Sequence, residues 1–163
     1  MTASASAPLA PLAMMFRINE SLISRALDGL TEDQLWQRPT EYNNPMLWLV
    51  GHLVRSRARL LSALGDTFDT GWGDAFARGS AVQDRATYVS RGEIADMMGT
   101  VNQLLYPKLE SLGDAEVARP ASGPVPVIKT VADLATFLTM HESYHVGQLA
   151  YIRKSLGLPG LIG

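Results

Sequence analysis

Apolar residues recur at helical spacing in four long stretches, and each stretch stops at or near a glycine. Leu12, Met15, Ile18, Leu22 and Ile23, closed by Ala26, follow the i, i+3, i+4 rhythm of one helix face. They predict a first helix over residues 12–27, with Gly29 just past its end. Asn44-Pro45 has the form of an N-cap followed by proline at the first helical position. A second helix is expected from there to about Leu64, with a seam of Met46, Leu49, Leu53, Leu60 and Leu64 and a stop at Gly65. Arg57 falls on that seam and breaks it, and the pattern alone supplies no reason. Ser90-Arg-Gly-Glu93 is a capping box that opens a third helix running to about Ser111, before Gly113. Pro107 lies inside this helix and should kink or shorten it. Thr130-Val-Ala-Asp133 opens the fourth, whose seam reads Val131, Leu134, Leu138, His141, His145, Leu149, Ile152 and Leu156. Arg153 and Lys154 suit the negative end of its dipole, and Gly157 and Pro159 end it.

Between these stretches the pattern is weaker. Thr31-Glu-Asp-Gln34 is another capping box and opens a short helical turn that runs into Arg38-Pro39. Residues 66–89 hold Gly, Asp and scattered aromatics with no sustained period, so a long loop is expected there, with Trp72 and Phe76 as lid or anchor. Pro120, Pro124 and Pro126 mark an extended connector. No strand, repeat or domain boundary emerges. The expectation is an all-α protein, a four-helix bundle forming one domain over residues 1–163, with residues 1–10 as a flexible lead.

Composition narrows the function classes. The net charge is −2 with no long basic or acidic run, which gives no electrostatic footprint for nucleic acid. There is no cysteine, hence no disulfide, no thiolate metal site and no cysteine nucleophile. No apolar run reaches the ~18–20 residues that would span a bilayer. The N-terminus lacks the charged n-region of a signal peptide, so a cytoplasmic location is expected.

The chemistry concentrates on histidine. His141 and His145 are two of only three in the chain, and their i, i+4 spacing sets them one turn apart on one helix face. Placed in an apolar seam, two imidazoles need a shared reason; a metal ion accepting one lone pair from each is one, and core histidines hydrogen-bonded to carbonyls or carboxylates are the alternative. The third histidine, His52, lies beside the seam of the second helix, so one site of His52, His141 and His145 is expected. Three neutral ligands leave the ion's charge uncompensated and a position open for a polarised water or a substrate atom. Imidazole suits Zn, Ni, Fe and Mn alike.

His141-Glu142-x-x-His145 also has the H-E-x-x-H form of zincin peptidases, in which the glutamate is the general base. No Glu, Asp or His follows Glu142 except His145, and Gln148 and Tyr151 stand where a metzincin would have Gly and His, so a peptidase is a remote alternative. Glu142 and Gln148 are the candidate catalytic side chains, with an interhelical ion pair the bland alternative for Glu142. Gly147 is expected at a close helix–helix contact, with a substrate-facing gap as the alternative, and Arg55 and Arg59 on a solvated face or against an anionic substrate.

Trp48-Leu-Val-Gly51-His52-Leu in the second helix and His141-Glu-Ser-Tyr-His145-Val-Gly-Gln148 in the fourth, in that order and at this chain length, resemble the DinB-like superfamily of four-helix metal proteins. The resemblance implies an up-down-down-up bundle, often dimeric, with a divalent metal on the counterparts of His52, His141 and His145. It implies thiol-dependent transferases and isomerases among its relatives; with the open metal position, the expectation is a metal-dependent enzyme that activates water or a small thiol, a hydrolase or a thiol-dependent transferase, acting on a small molecule. The cofactors implied are zinc or nickel first, then iron or manganese, with a low-molecular-weight thiol. The expectation from a different class is a bundle whose metal is structural or sensory.

Overall fold

The computed structural model describes residues 7–162. Six α-helices form among the described residues, and they contain no named strand. They are α1 (Ala10–Leu27), α2 (Glu32–Trp36), α3 (Met46–Ala63), α4 (Arg91–Ser111), α5 (Asp114–Val117) and α6 (Val131–Ser155), with a 3₁₀ turn at Arg85–Thr87. The four long helices are those the periodicity predicts. All three capping boxes form: Thr31, Ser90 and Thr130 each accept the N3 amide hydrogen, while Gln34, Glu93 and Asp133 reach back to the cap amide. At the far end of α6, Gly157 takes φ +78°, and its amide and that of Leu158 return to the carbonyls of Lys154 and Arg153.

Three differences from the pattern have physical causes. The first helix starts two residues early, at Ala10, because Leu9 and Ala13 are already buried. Most of the expected lead, residues 1–6, lies outside the described residues. α4 continues through Pro107: the proline and Gln103, whose carbonyl loses its amide partner, are both exposed, so water can satisfy the lost bond. α5 is a single turn with Glu116 closing on the Gly113 amide, too short to show an apolar period.

α3 packs on α4 and α6, and α1 packs on the same two, so α1 and α3 occupy opposite corners. The core divides into two clusters. One joins the first half of α1 (Ala13, Phe16) and of α6 (Val131, Leu138) to the ends of α3 (Leu60, Leu61) and α4 (Leu105, Leu109). The other joins the end of α1 and of α6 to the beginnings of α3 and α4. Every residue from Met46 to Val54 is buried, so α3 is the most enclosed helix.

Between the clusters lies the answer to Arg57. It is 1% exposed. Its Nε and Nη2 donate to the two carboxylate oxygens of Glu142, each at 2.7 Å. Its remaining donors reach Asn102 Oδ1, Tyr106 Oη (2.9 Å) and the Phe16 carbonyl (2.9 Å). Burial alone would push the guanidinium down, but the hydrogen bonds and charge of Glu142 more than reverse this and hold it above its ordinary range. A charge on the seam is thus a cross-bundle ion pair whose partner sits 85 residues away.

Candidate metal centre

His52 stands in the enclosed first half of α3, with Trp48 one turn earlier stacked on it, ring centroids 5.3 Å apart and planes 8° from parallel. His141 and His145 lie one turn apart on α6 and approach from across the helix contact. The three rings converge through Nε2: His141 Nε2 is 3.3 Å from His52 Nε2 and 3.0 Å from His145 Nε2. The ligand atoms of all three fall within 4.8 Å of one another.

The outer nitrogens fix which atoms face inward. His52 Nδ1 donates to the Phe76 carbonyl at 2.8 Å, and His145 Nδ1 donates to Gln148 Oε1 at 2.6 Å. In a neutral ring a proton on Nδ1 leaves a lone pair on Nε2. Two lone pairs therefore flank His141 Nε2, and a single ring proton there can satisfy only one of them. His141 Nδ1 is buried with no partner. A cation that accepts all three lone pairs removes the mismatch. The His52–His141 spacing equals the edge of a tetrahedron with Zn–N bonds of ~2.0–2.1 Å, about 3.3–3.4 Å, and the 3.0 Å between His141 and His145 is somewhat shorter. The donor set therefore fits a divalent ion.

Burial pushes all three imidazoles below their ordinary pKa. His141 falls furthest, to about 4, because repulsion from His145, His52 and Arg78 adds to its burial. The downward shifts favour the neutral form of each ring, the form that metal ligation requires.

The structure brings His52, His141 and His145 together and separates Glu142 from them. The buried face of α6 runs through Leu138, Thr139, Glu142, Val146 and Leu149, so its centre is Glu142, and the two histidines stand half-buried at its shoulder. The expected mid-seam position of the histidines is corrected accordingly. Glu142, expected as a possible base, has both oxygens committed to Arg57 and is 1% exposed, so it is not available to a molecule at the triad. Gln148 is at the site, through His145. Arg55 binds the carbonyls of Gly73 and Ala75, and Arg59 the carbonyl of Ser122, so both hold loops.

A cleft of about 510 Å³ opens beside His145 and Gln148, between α6 and the segment before α3. Its walls include Tyr42, Asn44, Tyr144 and Tyr151, and no charged side chain. Gly147 borders it and is exposed, with nothing within 4 Å of where a Cβ would stand. The expected helix–helix contact there is not made. Gly147→Ala should therefore stabilise the protein by about 0.5–1 kcal/mol, through helix propensity alone. Urea denaturation checks this, and a loss of stability would show that the space is needed.

An all-helical bundle with three convergent imidazoles competent for a divalent ion is the class that fold and site define. The family model of the DinB superfamily matches residues 15–149, and the chain belongs to that superfamily. Among solved structures, a conserved protein from Enterococcus faecalis superposes with a TM-score of 0.70 at 14% identity, over 88% of this chain and 94% of that one. At that identity the likeness speaks for the fold alone. A search of the curated proteins finds no match.

Proposed function

We propose that this protein is a metal-dependent enzyme that activates water or a low-molecular-weight thiol for hydrolysis or group transfer on a small molecule. The observation that carries the reading is the convergence of three Nε2 atoms, 3.0 and 3.3 Å apart, next to an open cleft. His52, His141 and His145 would hold the ion, with zinc or nickel ahead of iron or manganese. Bound there, a divalent ion supplies Lewis acidity, which brings the pKa of a water or thiol towards neutrality. The chain's own residues do the rest. Phe76 and Gln148 orient two of the ligands, and the phenol and amide groups of the cleft offer hydrogen bonds to an uncharged part of a substrate. A homodimer belongs to the same proposal.

One observation favours a second reading, in which the metal is structural or sensory. The only glutamate in the histidine motif is taken up by Arg57, and the cleft has no carboxylate to serve as a base. Turnover would then depend on the substrate or thiol to carry the proton.

Untagged protein should contain close to one equivalent of divalent metal per chain by elemental analysis. Mass action predicts that stripping an ion present at 100 times its Kd removes about 2.7 kcal/mol and lowers Tm by roughly 5–10 °C. Protein with no metal and no change in Tm on adding zinc or nickel would sink the proposal. Turnover of electrophilic substrates only with added thiol would mark a transferase. Full metal loading without turnover, with or without thiol, would favour the structural reading.

A further inference from the structure

Phe76 combines features that core packing alone does not require. Among the described residues it is the one non-glycine residue at positive φ, +62°, a conformation uncommon for a bulky side chain. Its ring is fully buried and sits between Trp72 and Tyr88, with centroids 5.3 and 4.9 Å away. The ring also lies where a side chain at position 51 would be: a Cβ on Gly51 would fall 2.5 Å from Phe76 Cδ1. Gly51 precedes His52 on α3, and the Phe76 carbonyl is the acceptor for His52 Nδ1. One turn along α3 from Gly51, Arg55 grips the same loop by the carbonyls of Gly73 and Ala75.

These contacts form one device. α3 offers a gap at Gly51, the ring of Phe76 fills it, and the backbone behind the ring takes a left-handed conformation that presents its carbonyl to the imidazole one residue on. An ordinary core phenylalanine could bury its ring from relaxed backbone. Strain at a residue held on several sides is what over-determined positioning looks like. The carbonyl holds the His52 proton on Nδ1 and so turns the Nε2 lone pair towards His141 and His145. We propose that Phe76 is a positioning residue for His52: seated on Gly51, it fixes the tautomer and orientation that His52 needs as a ligand. Of the two expectations for this loop, lid or anchor, the second applies, and the anchor clamps the site. The inference rests on the reading that the triad holds a metal, but the state of His52 can be read without one.

The test uses the full chain with ¹⁵N-labelled histidine, first as apoprotein, then in zinc titrations against a chelator. In the apoprotein, long-range ¹H–¹⁵N spectra should show His52 as the Nδ1–H tautomer. Gly51→Ala, which displaces the ring, and Phe76→Gly, which removes it while tolerating positive φ, should each give a mixture of tautomers. Each should also weaken zinc binding about 10–100-fold, the usual effect of losing a partner behind a ligand. Gly51→Ala/Phe76→Gly should bind zinc no more weakly than Phe76→Gly, because the new methyl group then meets no ring. An Nε2–H tautomer in the wild-type apoprotein overturns the proposal, and so do unchanged tautomers in both single variants or additive losses in the double variant. The wild-type spectrum can overturn the proposal even where a variant fails to fold. If the wild type binds no zinc, the metal reading fails while the tautomer of His52 still judges this one.

Discussion

Arg57→Met should destabilise the protein by about 3–5 kcal/mol, because it strands the Glu142 carboxylate unpaired in the core. That is a large share of the ~5–15 kcal/mol that holds a typical domain together. The guanidinium it removes satisfies Glu142 on both oxygens, as well as Asn102, Tyr106 and the Phe16 carbonyl, and both members of the pair are about 1% exposed. Tyr106 in turn donates to Glu20, so the loss extends to α1. Arg57→Met/Glu142→Leu should recover most of the stability, since no buried charge is then left alone, although Asn102 and Tyr106 still lose a partner. Chemical denaturation followed by circular dichroism measures both. A cost below about 1 kcal/mol for Arg57→Met, the scale of an exposed ion pair, would contradict the burial of the network.

On the proposed three-histidine site, His52→Ala should lower zinc affinity by more than about 100-fold, beyond the range for losing a group behind a ligand, because it removes a ligand itself. Glu142→Gln should leave the affinity within a few fold. The contrast tests which half of His141-Glu142-x-x-His145 belongs to the site. In a zincin, the glutamate substitution would abolish turnover at full metal content and nearly unchanged stability. Here Glu142→Gln should instead lose stability and keep its metal, since its side chain faces Arg57 and not the imidazoles. Full metal retention in a folded His52→Ala variant would overturn the three-histidine site. Metal content and Tm of the two variants, measured side by side, give the answer.

Much of the fold can be read from local signals. Capping boxes at Thr31, Ser90 and Thr130 and glycines after the long helices act within a few residues, so their meaning survives without tertiary information. The triad is legible for a related reason: the chain has only three histidines, and two share an i, i+4 spacing. What the pattern hides depends on partners far along the chain. For Glu142 the interhelical ion pair, and not the base, is what forms, but that its partner is Arg57 and that the pair lies at the centre of the buried face of α6 has no local signal. Arg57 is equally opaque without Glu142. Gly147 resembles a packing glycine until its surroundings prove open. Phe76 is legible as a loop aromatic, but its left-handed backbone gives no signal, since it goes with the ring's seat on Gly51 and not with phenylalanine's own preference.

The five-residue stretch from His141 to His145 meets α3 twice, through the imidazoles at His52 and through the carboxylate at Arg57, five residues further on. These attachments work like two pegs in two holes. Sliding α6 along α3 by one turn, about 5.4 Å, would pull both out at once. Leucines and valines along the same contact resist such a slide less specifically, because apolar attraction is non-directional and can in part be regained against new neighbours. The polar atoms therefore add a register to the contact that apolar packing alone specifies less sharply.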